Sequence, residues 1–260
     1  MLSPRIIPCL LIQDGGLVKT RRFAEPKYVG DPINAVRIFN EKEVDELIVI
    51  DIDATRLARE PDYAMIAKLA NECRMPLCYG GGVRNEAQVE RIISSGVEKI
   101  SISAAAIADP GLIDRSARRV GSQSIVFTLD VKKTGLLRSQ EVVTHNASIR
   151  TGRRPVETAR EMQDRGAGEI VLNVVDRDGM MAGYDLDLVA QIRAAISVPL
   201  TVLGGAGSHD DIAALIRQEH IIGAAAGSLF VFKGKYRAVL ISYPNSFEKR
   251  ALIARAGSPI

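Results

Sequence analysis

The sequence predicts a closed parallel (βα)8 barrel of the TIM type, built from two similar half-barrels. Short apolar runs alternate with helical patterns eight times along the 260 residues, which is the βα rhythm of a parallel sheet. The runs are apolar at nearly every position, as strands covered on both faces are. The chain also matches itself at a near-constant offset. Arg5–Leu11 falls on Ser124–Asp130, Glu46–Ile50 on Glu169–Asn173, and Gly80-Gly81 on Gly204-Gly205. Ala104-Ala105-Ala106 roughly matches Ala225-Ala226-Gly227. A doubled four-strand unit accounts for all of these matches; an open doubly wound sheet needs no such symmetry. The expected organisation is one domain over 1–260, with half-barrels at about 1–122 and 123–245 and a tail at 246–260.

Taken in order, Arg5–Ile12 is a β-branched apolar run between Pro4 and the turn signal Asp14-Gly15-Gly16, and reads as the first strand. A polar loop from Gln13 to Asp31 follows. Asp31 then caps a helix from Pro32 to about Lys42, with proline at its first position. Leu47–Ile50 is the second strand and ends in Asp51-Ile52-Asp53. A helix at 62–71 leads to a strand at 77–79 and the turn Gly80-Gly81-Gly82. A helix at about 86–95 precedes the fourth strand, Lys99–Ser103, and a helix at about 110–120. The second half repeats the plan. Strand 124–131 is followed by a polar excursion, Lys132–Arg150, with a hairpin pattern. Helices at 155–165, 185–196 and 209–217 alternate with strands at 170–174, 200–203 and 222–226. A last helix is expected near 234–242, before Pro244-Asn245-Ser246.

The bulk numbers narrow the function. A net charge of +3 calls for neither a nucleic-acid nor a membrane partner. The longest weakly polar run, Ile221–Phe232, is shorter than the ~20 residues that span a bilayer. Cys9, Cys73 and Cys78 have no metal-ligand spacing, and an odd, unframed set points to a reducing compartment, here the cytoplasm. His145, His209 and His220 are scattered and read as loop or helix-surface residues, so no metal or other cofactor is expected. The basic clusters Lys19-Thr20-Arg21-Arg22 and Arg150–Arg154 read as solvated loops, with an anion-binding role as the alternative.

In a barrel of this class the chemistry sits where the strands end. Glycine-rich turns lie there in both halves, at Gly80-Gly81-Gly82 and Gly204-Gly205-Ala206-Gly207. Strands four and eight end in Ser103-Ala104 and Gly227-Ser228. Glycine lets backbone approach a ligand, and helix N-termini offer amide donors to anions. Two phosphate sites across the mouth are therefore expected, although tight βα turns would also use glycine. Asp51, Asp53, Asp130, Asp176 and Asp178 are the strand-end carboxylates, and crowding them in one cavity would separate their pKa values for acid–base work. Lys19 lies beyond the first strand, within reach of an anion. At the strand beginnings Arg5, Glu46, Lys99 and Glu169 would form a charged ring, read from spacing alone as bottom-face stability, with a gate over a channel through the barrel as the alternative.

The sequence resembles the cyclase subunit of imidazole glycerol phosphate synthase, of histidine biosynthesis. The resemblance runs along nearly the whole chain. It is carried by Arg5–Leu10, Asp14-Gly15 with Val18-Lys19, Asp45-Glu46-Leu47, Gly81-Gly82-Val83 and Lys99–Ile102, then by Gly166–Leu172, Asp176-Arg177-Asp178-Gly179 and Gly204–Gly207. It implies a lyase-type barrel with a glutaminase docked on its N-terminal face. Ammonia would pass a gate of Arg5, Glu46, Lys99 and Glu169 and travel up the interior to a phosphorylated ligand. It also implies phosphate contacts at Gly81, Gly82, Gly204, Gly205, Gly227 and Ser228, a loop lysine at Lys19 and a catalytic aspartate at Asp130. Ser103 and Asp178 are further expected substrate contacts. The chain departs from the family pattern at three places: Leu11 stands for aspartate, Ser103 for asparagine and Leu203 for serine. A leucine cannot move a proton, and a lost acid–base partner removes ~10²–10⁴-fold of rate. This resembles the paralogues found beside surface-polysaccharide genes, where the ammonia feeds a sugar amidotransferase. The alternatives are an authentic cyclase using Asp130 with a carboxylate such as Asp51, and a non-catalytic activator of the glutaminase.

Overall fold

The computed structural model describes residues 3–135 and 138–257. The undescribed residues fall at the N-terminal lead, inside the expected 132–150 excursion and at the end of the expected tail. The eight barrel strands are β1 (Arg5–Gln13), β2 (Leu47–Asp51), β3 (Leu77–Gly80), β4 (Lys99–Ile102), β5 (Ile125–Thr134), β6 (Glu169–Val174), β7 (Leu200–Leu203) and β8 (Gly223–Ala226). All pair in parallel in chain order. β8 returns to β1 through Arg5↔Gly223 and Pro8↔Ala226, which closes the barrel. β5 and β6, the first two strands of the second half, pair over six residues and set Asn173 beside Asp130.

Eight helices cover the outside: α1 (Pro32–Glu41), α2 (Tyr63–Glu72), α3 (Glu86–Ile93), α4 (Gly111–Val120), α5 (Pro155–Asp164), α6 (Leu186–Ala195), α7 (His209–Glu219) and α8 (Ser246–Arg255). Their starts are set by short polar side chains that accept orphan amides. Asp31 accepts from Asn34, Asp62 from Met65 and Asn85 from Gln88, and Ser208 forms a capping box with Asp211. The period-2 alternation of each strand divides the apolar residues between two cores. Outward residues such as Ile6, Val49, Tyr79 and Phe127 pack under the helices. Inward residues Ile7, Cys9, Ile48, Cys78, Val126, Val171 and Ala225 fill the barrel interior.

Three segments differ from the sequence reading. The expected polar loop 13–31 is a hairpin of strands Gly16–Arg21 and Ala24–Gly30, with Leu11 paired to Val18. Asp14-Gly15 makes a two-residue turn with positive φ at both positions, so β1 folds straight back on itself. The helix expected near 234–242 is instead a short hairpin, Phe232–Lys233 with Ala238–Val239. Gly234 and Arg237 take left-handed φ there, which a helix does not tolerate. The last helix comes later, as α8. The Pro244-Asn245-Ser246 cluster is its start signal, with Asn245 accepting from Phe247 and Glu248. Short helices also follow β4 (Ala104–Ala108) and β8 (Ser228–Val231).

Candidate active site and basal ring

The C-terminal strand ends surround one cavity. Its lining includes Lys19, Gly81, Gly82, Ser103, Asp130, Asp178, Gly204, Gly205, Gly227 and Ser228, and Leu11 lies in the same wall. Of the five strand-end carboxylates, Asp51, Asp130 and Asp178 reach this cavity. Asp53 does not: it is buried against Arg56 at 2.8 Å and Arg59 at 3.6 Å. Asp176 faces away and accepts from the Lys133 amide at 2.7 Å.

Asp130 keeps a face open to the cavity but is otherwise surrounded by protein. Desolvation pushes its carboxyl up to about 7, against hydrogen bonds that favour the charged form. Asn173 Nδ2 donates to its Oδ1 at 2.8 Å, while Ser103 Oγ stands 3.5 Å from its Oδ2. Burial also raises Asp51, which accepts from the Asp53 and Ala54 amides at 2.9 and 3.0 Å. Leu11 pairs with Ile50 across β1–β2, and both pack with Leu203 on the interior apolar cluster. The wall that the family resemblance would make acidic is therefore aliphatic.

The glycine turns are required by packing as well as by any ligand. Gly81 has φ +112°, and a Cβ there would lie 2.3 Å from the Asp51 carbonyl; Gly205, at φ +124°, would meet the Gly183 carbonyl at 2.1 Å. At Gly227 the backbone is ordinary, and the space belongs to Lys19, whose Nζ would be 2.5 Å from the added carbon. That position is open because a cation occupies it.

Lys19 and Thr20 are buried, so this part of the basic cluster is not the solvated loop the sequence suggested; Arg21 and Arg22 are exposed. Lys19 donates to the Cys9 carbonyl inside the mouth, and burial lowers its ammonium pKa. The hairpin carrying it is fastened by Asp178, which accepts from Thr20 Oγ1 at 2.6 Å and the Phe23 amide at 3.2 Å.

Three further residues join the site without having been singled out in the sequence. Arg237 reaches in from the hairpin read as a helix, with Nη2 3.3 Å from Ser228 Oγ and Nη1 3.2 Å from the Gly179 carbonyl. Asn173 holds Asp130; its signal was a polar residue at the end of an otherwise apolar strand. His145, read as a loop or surface residue, lines the mouth. The excursion folds across the opening there, and the neighbouring Asn146 donates to the Ile52 carbonyl at 2.9 Å.

At the other end, Arg5, Glu46, Lys99 and Glu169 do come together. Arg5 bonds Glu46 and lies 2.8 Å from Glu169; Lys99 lies 2.9 Å from Glu46 and 2.8 Å from Glu169. Thr201 Oγ1 adds a 2.6 Å hydrogen bond to Glu169. Charges alternate around the ring. Burial opposes each ion, yet the partners outweigh it, holding Arg5 and Lys99 above and Glu169 below their ordinary values. Among the described residues no cluster has the make-up of a metal site, and no helix is long and apolar enough to cross a membrane.

Comparison with known proteins gives a consistent set. The histidine biosynthesis protein family matches residues 5–237. A Vibrio vulnificus protein provisionally named imidazole glycerol phosphate synthase subunit hisF3 is 56% identical over 250 residues, 96% of each chain. A Pseudomonas aeruginosa protein provisionally named as subunit hisF2 is 53% identical over 94% of this chain and 97% of its own. The imidazole glycerol phosphate synthase subunit HisF of Hyphomonas neptunium is 37% identical over 100% of this chain and 99% of its own.

Proposed function

The chain belongs to the imidazole glycerol phosphate synthase cyclase-subunit family of histidine biosynthesis proteins, and from that premise we propose that it is a cytoplasmic ammonia conduit whose cyclase chemistry has decayed. The observation that carries this is Leu11. It lines the same cavity as Asp130, in a wall with Ile50 and Leu203, where the family resemblance calls for aspartate. Without a titratable group at Leu11, Asp130 lacks the strand-one partner that would take up or return the proton that ring closure moves.

The N-terminal half of the machinery is intact in this reading. A glutaminase docks below the ring of Arg5, Glu46, Lys99 and Glu169, and the opening of one ion pair admits ammonia. The interior is lined by Ile7, Cys9, Ile48, Cys78, Val126, Val171 and Ala225. Such a lining accepts neutral ammonia and excludes ions, because an unpaired charge in an apolar interior is costly. At the mouth, Gly81, Gly82 and Ser103 on one side and Gly204, Gly205, Gly227 and Ser228 on the other bind phosphate, with Lys19 between them. The numbered subunit names of the Vibrio and Pseudomonas relatives favour a paralogue, and we assign the nitrogen to a sugar amidotransferase of surface-polysaccharide synthesis.

Asp51 shares the cavity with Asp130 and is raised by burial, which favours one competing reading, an authentic cyclase using these two carboxylates. Steady-state cyclisation of the bisphosphorylated ribulosyl-aminoimidazole carboxamide substrate with ammonium salt separates the two. Turnover at the rate of an ordinary cyclase refutes the conduit reading. No turnover together with a stimulated glutaminase is the expected result.

A further inference from the structure

Two hairpins meet at the edge of the mouth beside β8, and their cations have no acid to answer them. The first spans 16–30 and the second 232–239; together they carry seven basic residues and one acid, Glu25. They touch through Lys27, whose Nζ donates to the Arg237 carbonyl at 3.0 Å. Lys27 Nζ and the Arg237 guanidinium also share one buried ring, Phe232, at 5.0 and 4.6 Å from its centre. Arg21 approaches from the first hairpin. Its Nη2 lies 3.9 Å from Met180 Sδ, and Arg237 Nη1 lies 3.2 Å from the carbonyl of the preceding Gly179. Both guanidiniums therefore rest on the same stretch of backbone, and burial together with the nearby Arg21 charge lowers the Arg237 pKa. Among the described residues no salt bridge includes Arg21, Lys27 or Arg237. Asp178, the carboxylate at this corner, is turned to Thr20 and the Phe23 amide. Three like charges held together repel one another, and an anion that bridges them removes that cost.

We propose that Arg21, Lys27 and Arg237 form a second phosphoryl seat beside the Gly227-Ser228 turn, so that this side of the mouth takes a diphosphate, the linkage of a nucleoside diphosphate and its sugar esters. The position follows from Arg237, whose Nη2 is also 3.3 Å from Ser228 Oγ. A monophosphate on the turn engages Arg237 and leaves Arg21 and Lys27 without an anion. A second phosphoryl group, linked to the first, supplies one. The ligand class follows from the donors. Guanidinium forks present several N–H groups in a fixed plane, which suits phosphoryl oxygens, and the lysine adds a point charge. The shared Phe232 ring holds Lys27 and Arg237 in place before the ligand arrives. The inference rests on the phosphate turn of the proposed function and gives the ligand of that turn a second charged group.

Calorimetry on the full chain, at fixed ionic strength and free of divalent cations, compares inorganic phosphate, inorganic pyrophosphate and citrate. Pyrophosphate should bind about tenfold or more tightly than phosphate, the gain expected from added charge-assisted hydrogen bonds. Citrate, a carboxylate anion of comparable charge, should bind no more tightly than phosphate. Arg21→Gln should remove most of the pyrophosphate gain and leave phosphate binding unchanged. The proposal is overturned if the two phosphates bind alike, if citrate matches pyrophosphate, or if Arg21→Gln keeps the full gain. The anion comparison uses the unaltered chain, so a poorly folded variant does not protect the idea. Phosphate binding without a pyrophosphate gain removes this seat and leaves the proposed turn standing. Pyrophosphate binding without phosphate binding keeps the seat and removes the turn as a monophosphate site.

Discussion

Replacing Lys99 by methionine tests whether the basal ring behaves as one balanced charge system. Lys99 Nζ is within 2.8–3.0 Å of oxygens on both Glu46 and Glu169, whose side chains are only 4% and 6% exposed. At an effective dielectric of ~20, attraction across ~3 Å is about 5 kcal/mol per contact, before desolvation is subtracted. Lys99→Met keeps the stem and removes the charge, leaving two buried carboxylates on Arg5 alone. Loss of one member of a buried ion pair destabilises by roughly 3–5 kcal/mol, and that is the expected fall in urea-unfolding free energy at pH 7. The double variant Lys99→Met/Glu46→Leu restores neutrality around the Arg5–Glu169 pair. It should therefore be more stable than the sum of the singles by ~1–3 kcal/mol. The pH profile is a second check. Glu169 is held below its ordinary 4.5, so its contribution is present above that pH and is lost as pH falls through the folded value. Lys99 is held above 10.5, so its contribution is present below that pH and is lost as pH rises through the folded value. Lys99→Met should remove the alkaline loss and flatten the acid limb. A destabilisation under ~1 kcal/mol with additive singles would mean that water screens these charges, and the idea of a closed ring would fail.

The remaining predictions concern the mouth. Leu11→Asp should raise ammonium-dependent cyclisation by ~10²–10⁴-fold if the two phosphate sites still hold the bisphosphorylated substrate, measured as steady-state turnover; unchanged turnover means that more than one proton-transfer group has been lost. Asp130→Asn should abolish a pH dependence of stability. With the folded carboxyl near 7 and the unfolded one near 3.8, the native state holds an extra proton between these values. Stability then falls as pH rises across that window, by an amount on the order of a few kcal/mol, and the variant should gain most in thermal unfolding at pH 8 and little at pH 4. Arg237→Gln should weaken inorganic phosphate binding by ~10-fold or more in calorimetry, because a charge-assisted hydrogen bond at Ser228 contributes about 1.5–3 kcal/mol; equal binding would show that the guanidinium serves only the hairpin. Asp178→Ala should release the 16–30 hairpin, seen as faster tryptic cleavage after Arg21 and Arg22, with the barrel's own unfolding little changed.

Strand and helix order was legible because both signals are local: apolar runs of strand length, and helical patterns with a start signal such as Asp31 before Pro32. The glycine turns, Lys19, Asp130 and the basal ring could be found because the internal repeat and the family resemblance each supplied a register. What escaped detection depends on contacts distant in sequence. Nothing near Arg237 announces that its hairpin lies over Ser228, and the Gly234 turn resembles any loop. His145 enters the mouth only because the excursion after β5 crosses to β2, where Asn146 meets Ile52. Asn173 was visible as the residue aligned with Ile50 in the repeat, but its meaning depends on the β5–β6 register that sets it beside Asp130. The helix misplaced to 234–242 has a different cause. Apolar residues Tyr236, Val239 and Leu240 mimic a helical stripe, yet all three are exposed.

The two halves of the mouth diverge in a way that a single substitution at Leu11 would not produce. β1, β2 and β7 present Leu11, Ile50 and Leu203, all packed on the interior apolar cluster. Ser103, directly after β4, stands with Asp130 on β5 and Asn173 on β6, linked by hydrogen bonds or near contacts. Cyclisation needs proton-transfer groups on both sides of its substrate, so an aliphatic half-wall is a poor place for it. Passage of a small neutral molecule has the opposite requirement. One wall should offer a few acceptors and the other should bind nothing, so that the guest is held briefly and then released. The glycine turns proposed to bind phosphate are also fixed by backbone packing, as at Gly81 and Gly205. Their retention therefore says little about turnover, whereas the aliphatic wall bears on it directly.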